Sequence, residues 1–290
     1  MKLIVKFNLV FIAVFLLGLA IAGYTSHRLL QENARDEILQ EARIMMEAAL
    51  STRSYTNTQI KPLLETQMKY AFLPQSVPAY AATEYFNDLH QKYPDYSYKE
   101  ATLNPTNPRD RSSDWESDII AQFRQSAERS EVIGERDTPT GPSLFLARPI
   151  QIKSPGCLGC HGTLDSAPRT LIDRYGSANG FGWQLNEVVG AQVVSVPTRV
   201  PLERANHVFK VFMLSLTGVF AFIFVVLNVM LLQIVVRPVT RLSKLADQVS
   251  LGNLDEPEFT AASGDEIGVL TESFNRMRKS LVKAMKMLDE

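Results

Sequence analysis

The sequence predicts a mixed α+β domain held between two membrane-spanning helices and followed by a purely helical module. Three observations carry this. Two apolar runs, Leu9–Gly23 and Val211–Val236, are each too long for a soluble domain to need. The chain between them reads as helices first and antiparallel strands after. Residues 237–290 carry two heptad stripes separated by a Gly- and Pro-containing connector. The expected divisions are 1–24, 25–208, 209–236 and 237–290.

Crossing the hydrocarbon takes about 20 apolar residues of helix. The second run provides them without a charge. The first does so once Leu3–Val5 and a snorkelling Lys6 are included. Lys2, Lys6 and Ala20-Ile21-Ala22 also fit a cleavable leader. Against a leader, Leu30, Ala34, Ile38, Ala42, Met45 and Ala49 continue a helical stripe in a stretch free of Gly and Pro. That pattern favours an anchor continuous with an extramembrane helix. Lys2, Lys6, Arg237, Arg241 and Lys244 flank the outer ends of the pair, while Arg28 and Lys210 oppose them. The positive-inside rule then places both termini in the cytoplasm and residues 25–208 in the periplasm of an inner membrane. Net charge is −1 with dispersed basic residues, so nucleic acid is not an expected partner.

Within 25–208, "SVPAYAATEYFNDLHQKY" predicts a helix entered at Pro78, with Tyr85, Phe86 and Leu89 on one face. "DYSYKEATL" predicts a strand, and "NPTNP", residues 104–108, a turn. Ser113 and Glu116 form a capping box opening a helix that buries Ile119, Ile120 and Phe123. "SEVIGER" and "SLFLARPIQI" predict a hairpin about "TPTGP". A short helix runs from Pro168 to Gly176, and "NEVVGAQVVSVPTRV" supplies the last strand. The expectation is a small PAS-like sheet with helices on one face.

The only two cysteines of the chain lie in "SPGCLGCHGTL", a stretch expected to be a Pro/Gly-flanked loop. Cys157, Cys160 and His161 make the Cys-x-x-Cys-His signature of c-type haem attachment. Thiols three apart reach two vinyl groups of one porphyrin edge, and the adjacent imidazole reaches the iron. Covalent haem c, with His161 as an axial ligand, is therefore expected. A zinc site would want a second Cys pair. A disulfide gives His161 no role, and a thioredoxin-like pair would want a βαβ context. For a second axial position, His27, His90, His207, Met45, Met46, Met68 and Tyr55 are candidates, as is an open site. Arg148 is a candidate partner for a haem propionate, or else a sheet-surface ion pair. Phe181 and Trp183 of "ANGFGW" pack on haem or anchor their loop.

At the end of the chain, Pro238, Leu242, Leu245 and Val249 form one stripe. Ile267, Leu270, Phe274, Met277, Leu281, Ala284 and Leu288 form the other. Neither helix hides its stripe alone, so a homodimeric four-helix bundle is expected. With Pro238, Gly252-Asn253-Leu254 and Asp265-Glu266-Ile267-Gly268, residues 237–290 resemble the HAMP signalling relay. Residues 30–205 resemble the PAS-like periplasmic domains with c-type haem found on bacterial sensors. That resemblance rests on "NPTNPRDRSSDWE", "LARPI", "CLGCH" and "NGFGW". It implies a haem-based sensor of a diatomic gas or of redox state.

Residues 237–290 hold no histidine to accept a phosphoryl group, and no Gly-rich nucleotide loop occurs. The chain is expected not to be an enzyme. It acts on a separate cytoplasmic histidine kinase or other effector, or lacks an output domain. The alternative is a membrane-anchored c-type cytochrome for electron transfer; a third reading is a dimerisation scaffold with a Cys157–Cys160 disulfide.

Overall fold

The computed structural model describes residues 3–126, 128–253 and 264–289. They form two units, Arg28–His207 and the pair Met1–His27 with Val208–Glu290.

In the first unit, helix α1 (Leu3–Tyr55) contributes its second half. A π-turn over Thr56–Ile60 leads into α2 (Lys61–Met68). Then come α3 (Pro78–Lys92), β1 (Ser97–Thr102), α4 (Asp114–Gln125), β2 (Val132–Thr138) and β3 (Gly141–Gln151). Short helices α5 (Pro155–His161) and α6 (Arg169–Tyr175) precede β4 (Val188–Pro197). The four strands make one antiparallel sheet in the order β1-β4-β3-β2.

Period-two alternation divides the sheet into two faces. Leu144, Leu146, Val194 and Val196 face α1 and α3, packing on Ile38, Ala42, Met46 and Phe86. Ala147, Ala191 and Val193 face α4, packing on Ile119, Ile120 and Phe123. Helices thus cover both faces, where one was expected. The reason is visible in β4, whose eight central residues are all buried; a strand apolar on both sides needs cover on both. The α1 stripe also drifts: Met46 is fully buried and Met45 only partly. Tyr85 of α3 is 51 % exposed, and the buried stripe is Ala82–Phe86 with Leu89 beside it.

Helix α4 starts as its sequence dictates. Glu116 Oε2 accepts from the Ser113 amide at 2.7 Å, from the Ser113 hydroxyl at 2.8 Å and from Lys99 Nζ at 2.7 Å. A buried carboxylate is tolerated there because its acceptor sites are filled.

A second buried carboxylate ties α1 to the sheet. Glu100 on β1 accepts from Arg53 of α1, and from the Tyr98 hydroxyl at 2.7 Å. The Tyr98 oxygen in turn accepts from Gln192 of β4 at 3.0 Å. Arg53→Met leaves Glu100 charged and uncompensated, which costs about 3 kcal/mol. Urea unfolding of the variant reads this directly, and a loss below about 1 kcal/mol would contradict it.

In the second unit, two helices are long and apolar enough to cross a membrane, and neither apolar window is buried. Phe15 stacks on Phe220 with ring centroids 5.2 Å apart, and His27 meets Phe209 edge-on at 5.1 Å. Helix α7 (Arg199–Met230) passes through a π-turn, Leu231–Val236, into α8 (Arg237–Ser250). Helix α9 (Glu266–Asp289) is capped by Asp265, whose Oδ1 accepts from the amides of Ile267 and Gly268 at 3.1 Å each. Leu242, Val249 and Phe274 form the buried seam of α8 and α9. Thr271 is buried where Leu270 was expected; Leu270, Met277 and Leu281 remain exposed within one chain. Lys2 and Leu254 lie outside the described residues, as do residues 255–263 of the connector and the side chain of Leu288.

Candidate functional site

The Cys-x-x-Cys-His segment is a helix, not the expected loop. Pro155 occupies the first turn, where its missing N–H costs nothing. The Ser154 hydroxyl accepts from the Gly156 amide at 3.2 Å as an N-cap. Helical geometry over Pro155–His161 sets both thiols and the imidazole on one short element. Both thiols are free and half-buried. Among the described residues, no three His, Cys, Asp or Glu side chains converge as an all-protein metal cage requires.

Cys160 touches an apolar cluster centred on Phe72, Ala167 and Leu171, with Met68, Tyr175 and Phe181 around it. Burial raises the Cys160 thiol pKa, with the Lys61 ammonium opposing and Cys157 adding. This is the opposite of the acidified thiolates used in dithiol exchange.

His161 is held from three sides. Its Nδ1 lies 2.8 Å from the Gly180 carbonyl oxygen. A carbonyl only accepts, so Nδ1 carries the hydrogen and Nε2 is left with a free lone pair. The Thr106 hydroxyl sits 3.4 Å from the same Nδ1. Trp183 stacks on the imidazole at 4.0 Å with planes 13° apart. Burial pushes the imidazole pKa below its usual value, and the Gly180 hydrogen bond works against that shift. The ring is therefore neutral at pH 7, the form that ligates a metal.

The "NGFGW" loop is fastened to the end of α5 through its backbone. The Gly182 amide donates to the Gly162 carbonyl at 2.7 Å, and the Trp183 amide to the His161 carbonyl at 3.0 Å. Asn104 clamps the same loop, accepting from the Gly180 amide at 3.2 Å and donating to the Phe181 carbonyl at 3.3 Å. "NPTNP" was expected as a turn and as part of the stretch behind the resemblance, with no role given to single residues; its Asn104 and Thr106 are part of the site. Such contacts, 55 to 77 residues apart in sequence, leave no local pattern to read.

Gly180 has a positive φ of 85°, and an added Cβ would lie 2.0 Å from the Thr106 Oγ1. Gly180→Ala therefore breaks both its own backbone geometry and the Thr106 contact. We expect a loss of about 2 kcal/mol or more in unfolding experiments. An unchanged stability would contradict the clamp.

The remaining sequence candidates are dispersed. Arg148 donates to Glu47 at 2.7 Å and to Glu131 at 3.3 Å, an ion-paired position on β3. Tyr55 ends α1 and is 59 % exposed. No described contact brings either to His161. His90 lies 2.8 Å from the Tyr96 carbonyl, and Met46 is in the sheet core. His27 packs on Phe209, and His207 is exposed. Of the proposed second ligands, Met68 alone shares the Cys160 cluster.

The donor set suits a c-type haem: paired thiols, a neutral imidazole with fixed tautomer, and an apolar surround. Comparison with known proteins adds the following. The family described as Tll0287-like matches residues 31–197, and the HAMP domain matches residues 230–283. Among solved structures, the cyanobacterial heme-protein Tll0287 is similar at 15 % identity with a TM-score of 0.44. The similarity covers 56 % of this chain and 95 % of that one. No curated protein matches significantly.

Proposed function

Because the chain belongs to the Tll0287-like family and carries a HAMP domain, we propose that it is a bacterial inner-membrane receptor that senses through periplasmic haem c. The observation that carries this reading is the His161 geometry. Nδ1 is committed to the Gly180 carbonyl, on the same short helix as Cys157 and Cys160, so Nε2 is left for iron.

In this reading Cys157 and Cys160 would hold the porphyrin as thioethers. His161 would supply the iron ligand, with its ring plane fixed by Trp183 and its tautomer by Gly180. Bound there, haem supplies a one-electron couple and a coordination position for a diatomic gas. Met68, Phe72 and Phe181 exclude water from the Cys160 side. A displacement of His161 would bear first on Gly180 and then on the Asn104–Thr106 segment that grips it. Glu100 of β1, on the strand that leads to Asn104, would pass that strain to α1 through its ion pair with Arg53.

Helices α1 and α7 both continue into membrane-spanning segments, and α7 continues into α8 of the HAMP domain. Leu270, Met277 and Leu281, exposed in one chain, pack against a second copy in the proposed homodimer. Two packings of that bundle are the bistable element biased by the haem domain. The output is altered contact with a separate cytoplasmic histidine kinase or other effector, and the chain itself catalyses no reaction. Both termini then lie in the cytoplasm.

The test is an absorption spectrum of the purified full chain, oxidised and reduced, with and without CO and NO. A c-type spectrum that responds to gas or to reduction supports the reading. No Soret band from protein matured in a host that attaches haem c would refute it.

A further inference from the structure

A cleft of about 310 Å³ opens among α3, the edge strand β1, the first turn of α4 and β2. Its volume lies within the roughly 300–1,000 Å³ of small-molecule sites. None of its lining residues belongs to the cysteine helix or to the loop that holds His161.

Two of its side chains are chemically unfinished. Arg136 Cζ lies over the Trp115 ring, 4.0 Å from the centroid, and no carboxylate among the described residues pairs with it. Its planar fork of N–H donors is free for an anion, with carboxylate the natural match. Asp110, whose side chain is 22 % exposed, lines the same cleft. It forms an ion pair with Arg109 Nε at 3.6 Å, too long for a hydrogen bond. Arg109 is shared, because it also pairs with Glu84 and lies over the face of Tyr80. The third cation, Lys99, is already neutralised by Glu116 and donates to the Arg111 carbonyl. A guest thus meets one cation without a carboxylate partner, Arg136, and one carboxylate held only by a long, shared ion pair, Asp110.

We propose that this cleft binds a small zwitterion of the amino-acid class, with its carboxylate on Arg136 and its ammonium on Asp110. A dicarboxylate would place its second charge against Asp110, and a diamine would place one against Arg136. The Trp115 ring and Val193 give the guest an apolar floor. Charge neutrality of guest and host sites together keeps desolvation tolerable.

The pH response follows from the surroundings of Asp110. Burial pushes its pKa up to about 6, with Glu100 and Glu84 adding and Arg109 and Lys99 opposing. Below that pH the carboxyl is protonated and offers an ammonium no charge. Affinity therefore falls as pH drops through about 6.

The experiment is calorimetric titration of the full chain in detergent with the twenty standard L-amino acids, propionate and propylamine. At least one amino acid is expected to bind saturably, at least tenfold more tightly than propionate or propylamine. Arg136→Gln and the near-isosteric Asp110→Asn are each expected to weaken it at least tenfold. Protein made without haem attachment should bind the same amino acid equally, so this site and the haem reading fail separately. Absence of binding by every amino acid would overturn the proposal. So would propionate binding as tightly as the best amino acid, or an Asp110→Asn variant of unchanged affinity.

Discussion

Replacing Cys157 and Cys160 together by alanine is expected to yield a folded, membrane-inserted chain with no covalent haem and no signalling response. The fold should survive because both thiols are only half-buried, on a helix outside the two sheet cores. Relative to haem-free wild-type protein, stability should change by about 1 kcal/mol or less. His161→Ala separates attachment from ligation: the thioethers still form, and the spectrum reports a changed axial position. Both variants are read by absorption spectroscopy and by a reporter of the downstream pathway. A normal response from the double alanine variant would disconnect the haem from the signal.

Ending the chain at Val236 is the second large effect. It removes α8 and α9, including the seam of Leu242, Val249 and Phe274. The haem spectrum should be unchanged, since none of its proposed contacts lies beyond residue 207, and the response should vanish. An electron carrier would behave otherwise, because it has no use for the helical module and would keep its activity. A milder version is Phe274→Ala, which removes about 3 kcal/mol from the bundle by opening a cavity at a nearly buried site. That variant should bias the output in one direction rather than abolish haem binding.

Much of this architecture is legible in the sequence because its signals are local. The Ser113–Glu116 box, the stop at Gly176, the hairpin around Pro139-Thr140 and the two apolar runs each follow from neighbours a few residues apart. The Cys-x-x-Cys-His signature is local too. What escaped is long-range or marginal. The helical state of Pro155–His161 is signalled by Ser154-Pro155, but two glycines outweigh that on propensity. The choice of Met46 over Met45 turns on a fraction of a helical turn. Cover on both faces was readable in the two-sided apolar run of β4, yet a strand's burial alone does not say which element supplies it. Asn104 and Thr106 lie in a stretch that carries the family resemblance, but nothing in their local pattern gives either a role. Their role appears only when the chain brings them to Gly180 and His161. Arg148 is an ion-paired residue of β3, held by Glu47 and Glu131, as one of its two sequence readings has it.

The central claim is that Cys157 and Cys160 are bonded to a porphyrin. Intact-mass spectrometry under denaturing conditions, on protein matured in a host competent for haem c attachment, tests it most directly. The account predicts one haem mass added to the polypeptide, carried on the peptide that contains residues 157–161. An unmodified polypeptide from that host would contradict it.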